Sequence, residues 1–261
     1  MDEKETALIT GASSGIGYEF AKICASERYN LILVARDNAR LKKIAQELVK
    51  KYKIEVKVIA LDLSDEASPT RLFKELKRGD VKVDLLVNNA GFGMLGEFSK
   101  SELEIEHTMI RLNVIALTDL TKLFVKDMLA RDSGIIINVA SVAGFLPGPY
   151  MAVYYATKAY VLSLSLALAR EVRGTGVTVT ALCPGPTQSE FGKRAGIKNV
   201  LLFKGGLMDA DQVAYVGYRG AMMGRELVVP GLKNKLSVFF MRFAPRSLLV
   251  RIVARLQQKR V

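Results

Sequence analysis

The sequence predicts an α/β fold: a single doubly wound, parallel, seven-stranded sheet with a helical extension at the C-terminus. Three observations lead there. From residue 6 to about residue 230, short and nearly all-apolar β-branched runs alternate with amphipathic helical runs. Strands that are apolar on both sides belong to a parallel sheet covered by helices on both faces. A glycine-rich turn lies between the first strand and the first helix. No repeat, low-complexity tract or linker interrupts the pattern, so residues 1–231 read as one domain and residues 232–261 as a basic amphipathic extension. A chain of 261 residues, half of them hydrophobic, is long enough to bury one sizeable core without disulfides.

Taken in order, residues 6–10 are expected as a strand and 15–28 as a helix. Residues 30–36 form the second strand. The helix 37–53 carries Leu41, Ile44, Ala45, Leu48 and Val49 at helical spacing. The third strand is 56–61. In the helix 66–77, Pro69 falls near the first turn, where a missing N–H is tolerated. The fourth strand is 83–88, and 103–131 is one long helix or two abutting ones. The fifth strand, 134–139, precedes a helix at 152–173 and a sixth strand at 177–182. A loop rich in Gly and Lys runs from 184 to about 206, followed by a helix at 210–224 and a short seventh strand at 227–229. Right-handed crossovers then place a ligand at the carboxyl ends of the strands.

Composition narrows the chemistry. The only histidine is His107, in a polar helical stretch that reads as surface, so neither a His-based triad nor a multi-His metal site is available. Cys24 and Cys183 are far apart and show no metal or redox spacing, which suits a reducing interior. The acidic start leads straight into a strand with no secretory pattern, and no run of 18 apolar residues exists, so the expectation is a cytoplasmic chain without a spanning helix. The net charge of +12 is uneven: no Asp or Glu follows Glu226, whereas Lys233, Lys235, Arg242, Arg246, Arg251, Arg255, Lys259 and Arg260 do. Nucleic acid is not the expected partner, because aromatic interleaving and a binding fold are missing.

Four motifs carry chemistry. The first strand runs into Gly11-Ala12-Ser13-Ser14-Gly15-Ile16-Gly17 and then a helix. Glycines let the backbone approach a pyrophosphate, and a helix N-terminus supplies free N–H groups; a ligand-free turn is the plain alternative. The second strand ends in Ala35-Arg36-Asp37. An acid at this position binds ribose hydroxyls and an Arg accommodates a 2′-phosphate, so Arg36 favours NADP(H), while Asp37, unless it caps the next helix, keeps NAD(H) open. The fourth strand ends in Asn88-Asn89-Ala90-Gly91, which either fixes neighbouring loops, contacts a ribose or simply turns. Finally, an apolar strand leads into Ser141, and a helix beyond it carries Tyr154 and Lys158 one turn apart on one face. A phenol is a poor acid near neutrality, and a neighbouring ammonium is expected to lower its pKa. By spacing alone, a core Tyr beside a surface Lys fits equally well.

Together, residues 10–17, Asp62, Asn88–Gly91, Asn113, Ser141, Tyr154-x-x-x-Lys158 and Pro184-Gly185 resemble the ordered motif set of the short-chain dehydrogenase/reductase family, whose sheet is of the Rossmann type. The resemblance implies that Tyr154 is the general acid or base, that Lys158 lowers its pKa and binds the nicotinamide ribose, and that Ser141 orients the substrate oxygen. It makes Asn113 the holder of a water that relays protons from Lys158; an unpaired buried amide would also favour such a water. It further implies a dinucleotide site built from Gly11, Ser13, Ser14, Gly15, Ile16, Gly17, Arg36, Asp62 (at the adenine), Leu63, Asn89, Ala90, Gly91, Tyr154, Lys158, Pro184, Gly185, Thr187 and Ser189, with no metal. Thr187 and Ser189 depart mildly from the family's usual Ile/Val and Thr.

Substrate contacts are expected from the loops after the strands: Phe92, Gly93, Met94, residues 142–150 and residues 189–207. Phe145, Leu146, Tyr150, Phe191, Leu201, Leu202 and Phe203 suit an apolar pocket for a carbonyl or alcohol that is lipid, acyl or steroid-like. Lys193, Arg194, Lys198 and Lys204 either meet an anionic group or belong to a solvated lid. The helix 152–170 is apolar nearly all round, so its second face suits a partner copy, and the resemblance implies a homodimer or homotetramer. In the extension, Leu248, Leu249, Ile252, Val253 and Leu256 share one helix face opposite Arg251, Arg255 and Gln258. This suits peripheral contact with an anionic membrane; packing on the chain's own body or on a partner is the alternative. The rival to an enzyme is a dinucleotide-binding sensor or scaffold on the same fold.

Overall fold

The structure is a computed structural model that describes residues 4–196 and 206–257. In chain order the first half comprises β1 (Thr6–Thr10), α1 (Gly15–Ser26), β2 (Asn30–Ala35), α2 (Asn38–Tyr52), β3 (Val56–Ala60), α3 (Ser68–Arg78) and β4 (Leu85–Asn88). A long helical rod follows: α4 (Leu103–Ile110), a π turn at Arg111–Ala116, and α5 (Leu117–Ala130). The expected single or paired helix is thus one rod with a widened turn in its middle. Next come β5 (Gly134–Val139), α6 (Ala152–Glu171) and β6 (Val177–Leu182). The expected loop after β6 contains β7 (Thr187–Gln188), paired with β8 (Met208–Asp209), and the short α7 (Glu190–Arg194). Two-residue strands are too short to leave a periodic trace in sequence. The chain ends with α8 (Ala210–Met222), β9 (Leu227–Val228), α9 (Leu232–Met241) and α10 (Arg246–Gln257).

The main sheet has seven parallel strands in the order β3-β2-β1-β4-β5-β6-β9. Successive side chains of a strand point to opposite faces, and here both faces are buried. Ala7, Ile9, Leu31, Leu33, Leu85 and Val87 pack under α1, α2 and α8. Leu8, Ile32, Val34, Leu86 and Ile136 pack under α3 and α5. The order reverses between β1 and β4, so the connections leaving their carboxyl ends run to opposite faces of the sheet and leave a crevice there. α2 begins at Asp37, whose Oδ1 accepts a hydrogen bond from the Arg40 amide at 3.0 Å, and closes at Lys53 in the left-handed region.

α6 is long and apolar enough, by length and composition, to cross a membrane. It packs against β6 instead, burying Lys158, Val161, Leu162, Ser165 and Ala169. The extension departs from a free amphipathic helix. α10 folds back so that Leu249, Ile252, Val253 and Leu256 face the crevice, and the Gln257 Nε2 donates to the Tyr155 hydroxyl. The outward apolar face expected of 247–259 is therefore covered by the chain itself, apart from Leu248 and Ile252, which are 48% and 44% exposed.

Candidate active site

The crevice is a cavity of about 630 Å³ above the carboxyl ends of the central strands. Its inner half is made by the turn after β1. Gly11 and Gly15 adopt φ of +65° and +55°, the left-handed region that a Cβ disfavours. Ser14 is the N-cap of α1, no side chain satisfies the first amides of that helix, and no acid lies in its first turn. Free N–H groups and the positive end of the helix therefore face the cavity beside Ser13, Ser14, Gly15 and Ile16. This cradle fits a dinucleotide pyrophosphate. Gly17 does not line it. A Cβ there would come within 2.4 Å of both the Asn89 amide nitrogen and the Gly11 carbonyl, so this glycine lets α1 close against the loops.

The two asparagines after β4 divide their work, as neighbours pointing to opposite sides must. Asn88 is turned inward, donating to Thr121 and Asn138 at 3.0 and 2.9 Å. Asn89 lines the cavity, but its amide donates to the Thr10 and Gly11 carbonyls at 3.0 and 3.3 Å. Thr10 answers by accepting from the Asn89 and Ala90 amides, both at 3.0 Å. Asn89 and Thr10 are thus the clasp that holds the glycine turn.

At the adenosine end, Arg36 is largely exposed, with its guanidinium 3.7 Å from Asp62. Asp37 is engaged as the cap of α2. Burial would raise the Asp62 carboxyl, but hydrogen bonds from the Ser64 hydroxyl and amide, together with Arg36, hold it below its ordinary value. Leu63, Ala90 and Gly91 complete this wall. Pro184, Gly185, Thr187 and Ser189 form the opposite one. The Thr187 hydroxyl donates to the Gly185 carbonyl at 2.9 Å, and Ser189 accepts from the Phe191 amide at 3.3 Å.

Tyr154, Lys158 and Ser141 meet in the middle of the cavity. α6 sets Tyr154 one turn before Lys158, and the ammonium lies 5.9 Å from the Tyr154 ring centre. It is 6% exposed and donates to the Val139 carbonyl at 2.7 Å. Burial pulls Lys158 down to about 8. Burial also pushes the Tyr154 phenol well above its ordinary value, and a hydrogen bond from Ser141 only partly offsets this. Desolvation thus sets the direction for the phenol, where the sequence pointed to a lowering by the ammonium. Ser141 Oγ accepts from the Ala143 amide at 3.1 Å and reaches the Pro184 carbonyl at 3.4 Å. Gly93 approaches the Tyr154 ring so closely that a Cβ there would lie 2.8 Å from it.

Asn113 lies in the π turn, 1% exposed and behind the cavity wall. Its side chain donates to the Phe92 carbonyl at 2.9 Å and to Thr157 at 3.1 Å, and accepts from the Phe92 amide at 3.1 Å. The amide is fully paired by protein groups. The expectation that it needs a water to avoid an unpaired buried group is thus corrected.

The outer half of the cavity is apolar. Leu146, Met151, Tyr155 and Phe191 form one side, and Met241 with the α10 stripe forms the other. Phe191 packs on Tyr154 with ring centres 5.2 Å apart. Of the expected pocket residues, Phe145 packs instead with Val161 and Cys183 in the core, and Tyr150 lies beside a separate small cavity. Leu201, Leu202, Phe203, Lys198 and Lys204 lie outside the described residues, as do the side chains of Lys193 and Arg194.

Residues 5–199 match the family model described as short chain dehydrogenase. The chain belongs to the short-chain dehydrogenase/reductase family, and its seven-stranded sheet is that family's fold. A very-long-chain 3-oxoacyl-CoA reductase of Phaeosphaeria nodorum is 34% identical over 223 residues, which is 74% of this chain and 65% of that one. Among solved structures, a short-chain dehydrogenase from Sphingobium yanoikuyae in complex with NADPH is 33% identical with a TM-score of 0.84, covering 94% of this chain and 95% of that one. A family member from Burkholderia phymatum in complex with NAD is 27% identical with a TM-score of 0.81, covering 91% and 92%.

Proposed function

We propose that this oxidoreductase reduces the carbonyl group of an apolar, lipid-like substrate with NADPH, and that Tyr154 supplies the proton. The observation that carries the reading is the cavity itself. A glycine cradle and Arg36 stand at one end, an apolar half walled by Phe191, Leu249 and Val253 at the other, and Tyr154, Ser141 and Lys158 between them. The cofactor, when bound, contributes a hydride to the carbonyl carbon. Tyr154 gives its hydroxyl proton to the carbonyl oxygen, so the C=O becomes a CH–OH and the phenol a phenolate. Ser141 holds the same oxygen against the phenol. The Lys158 ammonium favours the phenolate as it forms and hydrogen-bonds the nicotinamide ribose. Since the Asn113 side chain is engaged, a proton relay from Lys158 toward solvent would use a main-chain carbonyl of the π turn. The fungal 3-oxoacyl-CoA reductase supports a lipid-like substrate, and the NADPH-bound relative supports the cofactor.

The test is NADPH consumption, with NADH in parallel, across aldehydes, ketones and 3-oxoacyl thioesters. Tight NADPH binding without turnover on any of them would favour a sensor over an enzyme.

The pH profile follows from the two buried groups. Reduction uses both in their protonated forms. Below about 8 Lys158 carries its charge, and above that value it is neutral; Tyr154, pushed upward, still holds its proton there. We expect kcat/KM for reduction to be level near neutrality and to fall with the loss of one proton through about pH 8. A rate that rises across that interval would contradict the assignment.

A homo-oligomer belongs to the same reading. The outer face of α6 carries the small Ala156, Ser163 and Ala167 beside the exposed Tyr160 ring, a surface that suits a helix of a second copy. Sedimentation as a clean monomer at micromolar concentration would remove it.

A further inference from the structure

We propose that the outward face of α9, with the basic ridge beside it, docks on an anionic membrane surface and sets the mouth of the substrate cavity against the bilayer. A helix that belonged wholly to the core would hide its apolar residues, but α9 buries only Val238. Leu232, Phe240 and Phe243 are 72%, 63% and 72% exposed, and Leu236 and Phe239 lie open beside them. The aromatic rings group outside the body: Phe239 meets Phe240 and Phe243 with ring centres 5.5 and 5.3 Å apart. Contiguous apolar patches of this kind mark interaction sites.

The surrounding charge selects the occupant. Lys233, Lys235, Arg242, Arg246, Arg251 and Arg255 are all exposed, and no acid occurs in the chain after Glu226. Among the described residues none of these six makes an ion pair. A second copy brought face to face would present the same positive field, so self-association through this patch is opposed. A bilayer with anionic headgroups meets both requirements: aromatic rings enter the interface while lysines and arginines reach the phosphates. The patch is also continuous with the cavity, because Met241 and the part-exposed Ile252 line it. Docking stands on this surface alone, whereas delivery of a lipid carbonyl from the bilayer to Tyr154 rests on the reductase reading.

The experiment is flotation of the full chain with phosphatidylcholine vesicles, with and without phosphatidylglycerol. We expect at least about tenfold more bound protein on the anionic vesicles, falling as salt is raised. Phe240→Asp with Phe243→Asp should abolish binding, and Lys233→Glu with Arg242→Glu should weaken it, each with circular dichroism and thermal unfolding unchanged. Circular dichroism reports folding without reference to cofactor or substrate, so failure of docking and failure of the reductase reading are told apart. Wild-type protein that ignores anionic vesicles would overturn the proposal. So would folded Phe240/Phe243 variants that still float, or variants whose sedimenting mass drops while vesicle binding persists, since the patch would then be a contact between copies.

Discussion

Replacing Tyr154 with phenylalanine is expected to lower kcat for carbonyl reduction by about 10²–10⁴-fold, the range that a positioned general acid contributes. The change removes one oxygen and little else. The ring keeps its contacts with Phe191 and Tyr155, whose centres lie 5.2 and 6.0 Å away, and it still fits against Gly93. Ser141 retains the Ala143 amide as a donor to its oxygen. The cavity therefore keeps its shape, and NADPH affinity, measured by fluorescence titration, should change little because the glycine cradle and Arg36 are untouched. A loss confined to kcat would identify an interaction used in the transition state rather than in binding. If the variant kept activity within a few-fold of wild type, the proton would have to come from Ser141 or from solvent, and the assignment of Tyr154 would fail.

How much of this was visible in the sequence depends on how far each feature reaches through space. The sheet was legible because an all-apolar strand such as Leu31–Val34 can be satisfied only by cover on both faces. The cradle was legible because its glycines, its strand and its helix are contiguous in the chain. Tyr154 and Lys158 were legible as a pair because a helix brings residues four apart together. What could not be read is what lies across the fold. The stripe Leu249, Ile252, Val253 and Leu256 has the same spacing whether it lies on a membrane or on the chain's own active site. The decision is made by contacts such as that of Gln257 with Tyr155, 102 residues away. The phenol is a similar case: its partner Lys158 is local, but its burial is built by β5, the loop at Gly93 and Phe191, so the sign of the shift came out opposite to expectation. Asn113 looked like an amide in need of water because Phe92 and Thr157, its partners, are 21 and 44 residues distant.

The cofactor preference is the second large effect. Changing Arg36 to aspartate is expected to raise KM for NADPH by about ten- to a hundredfold, the factor that corresponds to losing a charge-assisted contact with a phosphate. Arg36 stands at the end of β2, 71% exposed, and its 3.7 Å approach to Asp62 is too long for a hydrogen bond, so the guanidinium is free to turn toward a 2′-phosphate. Asp37, the one feature in the sequence that pointed to NADH, caps α2 through the Arg40 amide and is committed there. Asp62 stays ionised, held by Ser64, and an anion arriving beside it needs a cation between them; Arg36 is placed to be that cation. The aspartate variant would instead accept hydrogen bonds from the ribose hydroxyls of NADH. KM for NADH should therefore hold or fall while kcat at saturating cofactor stays near wild type, because residue 36 belongs to the far end of the cavity from Tyr154. Wild-type protein that prefers NADH would show that Asp37, not Arg36, governs this end of the site. A variant that lost both cofactors equally would point to damage of the β2 end rather than to a lost phosphate contact.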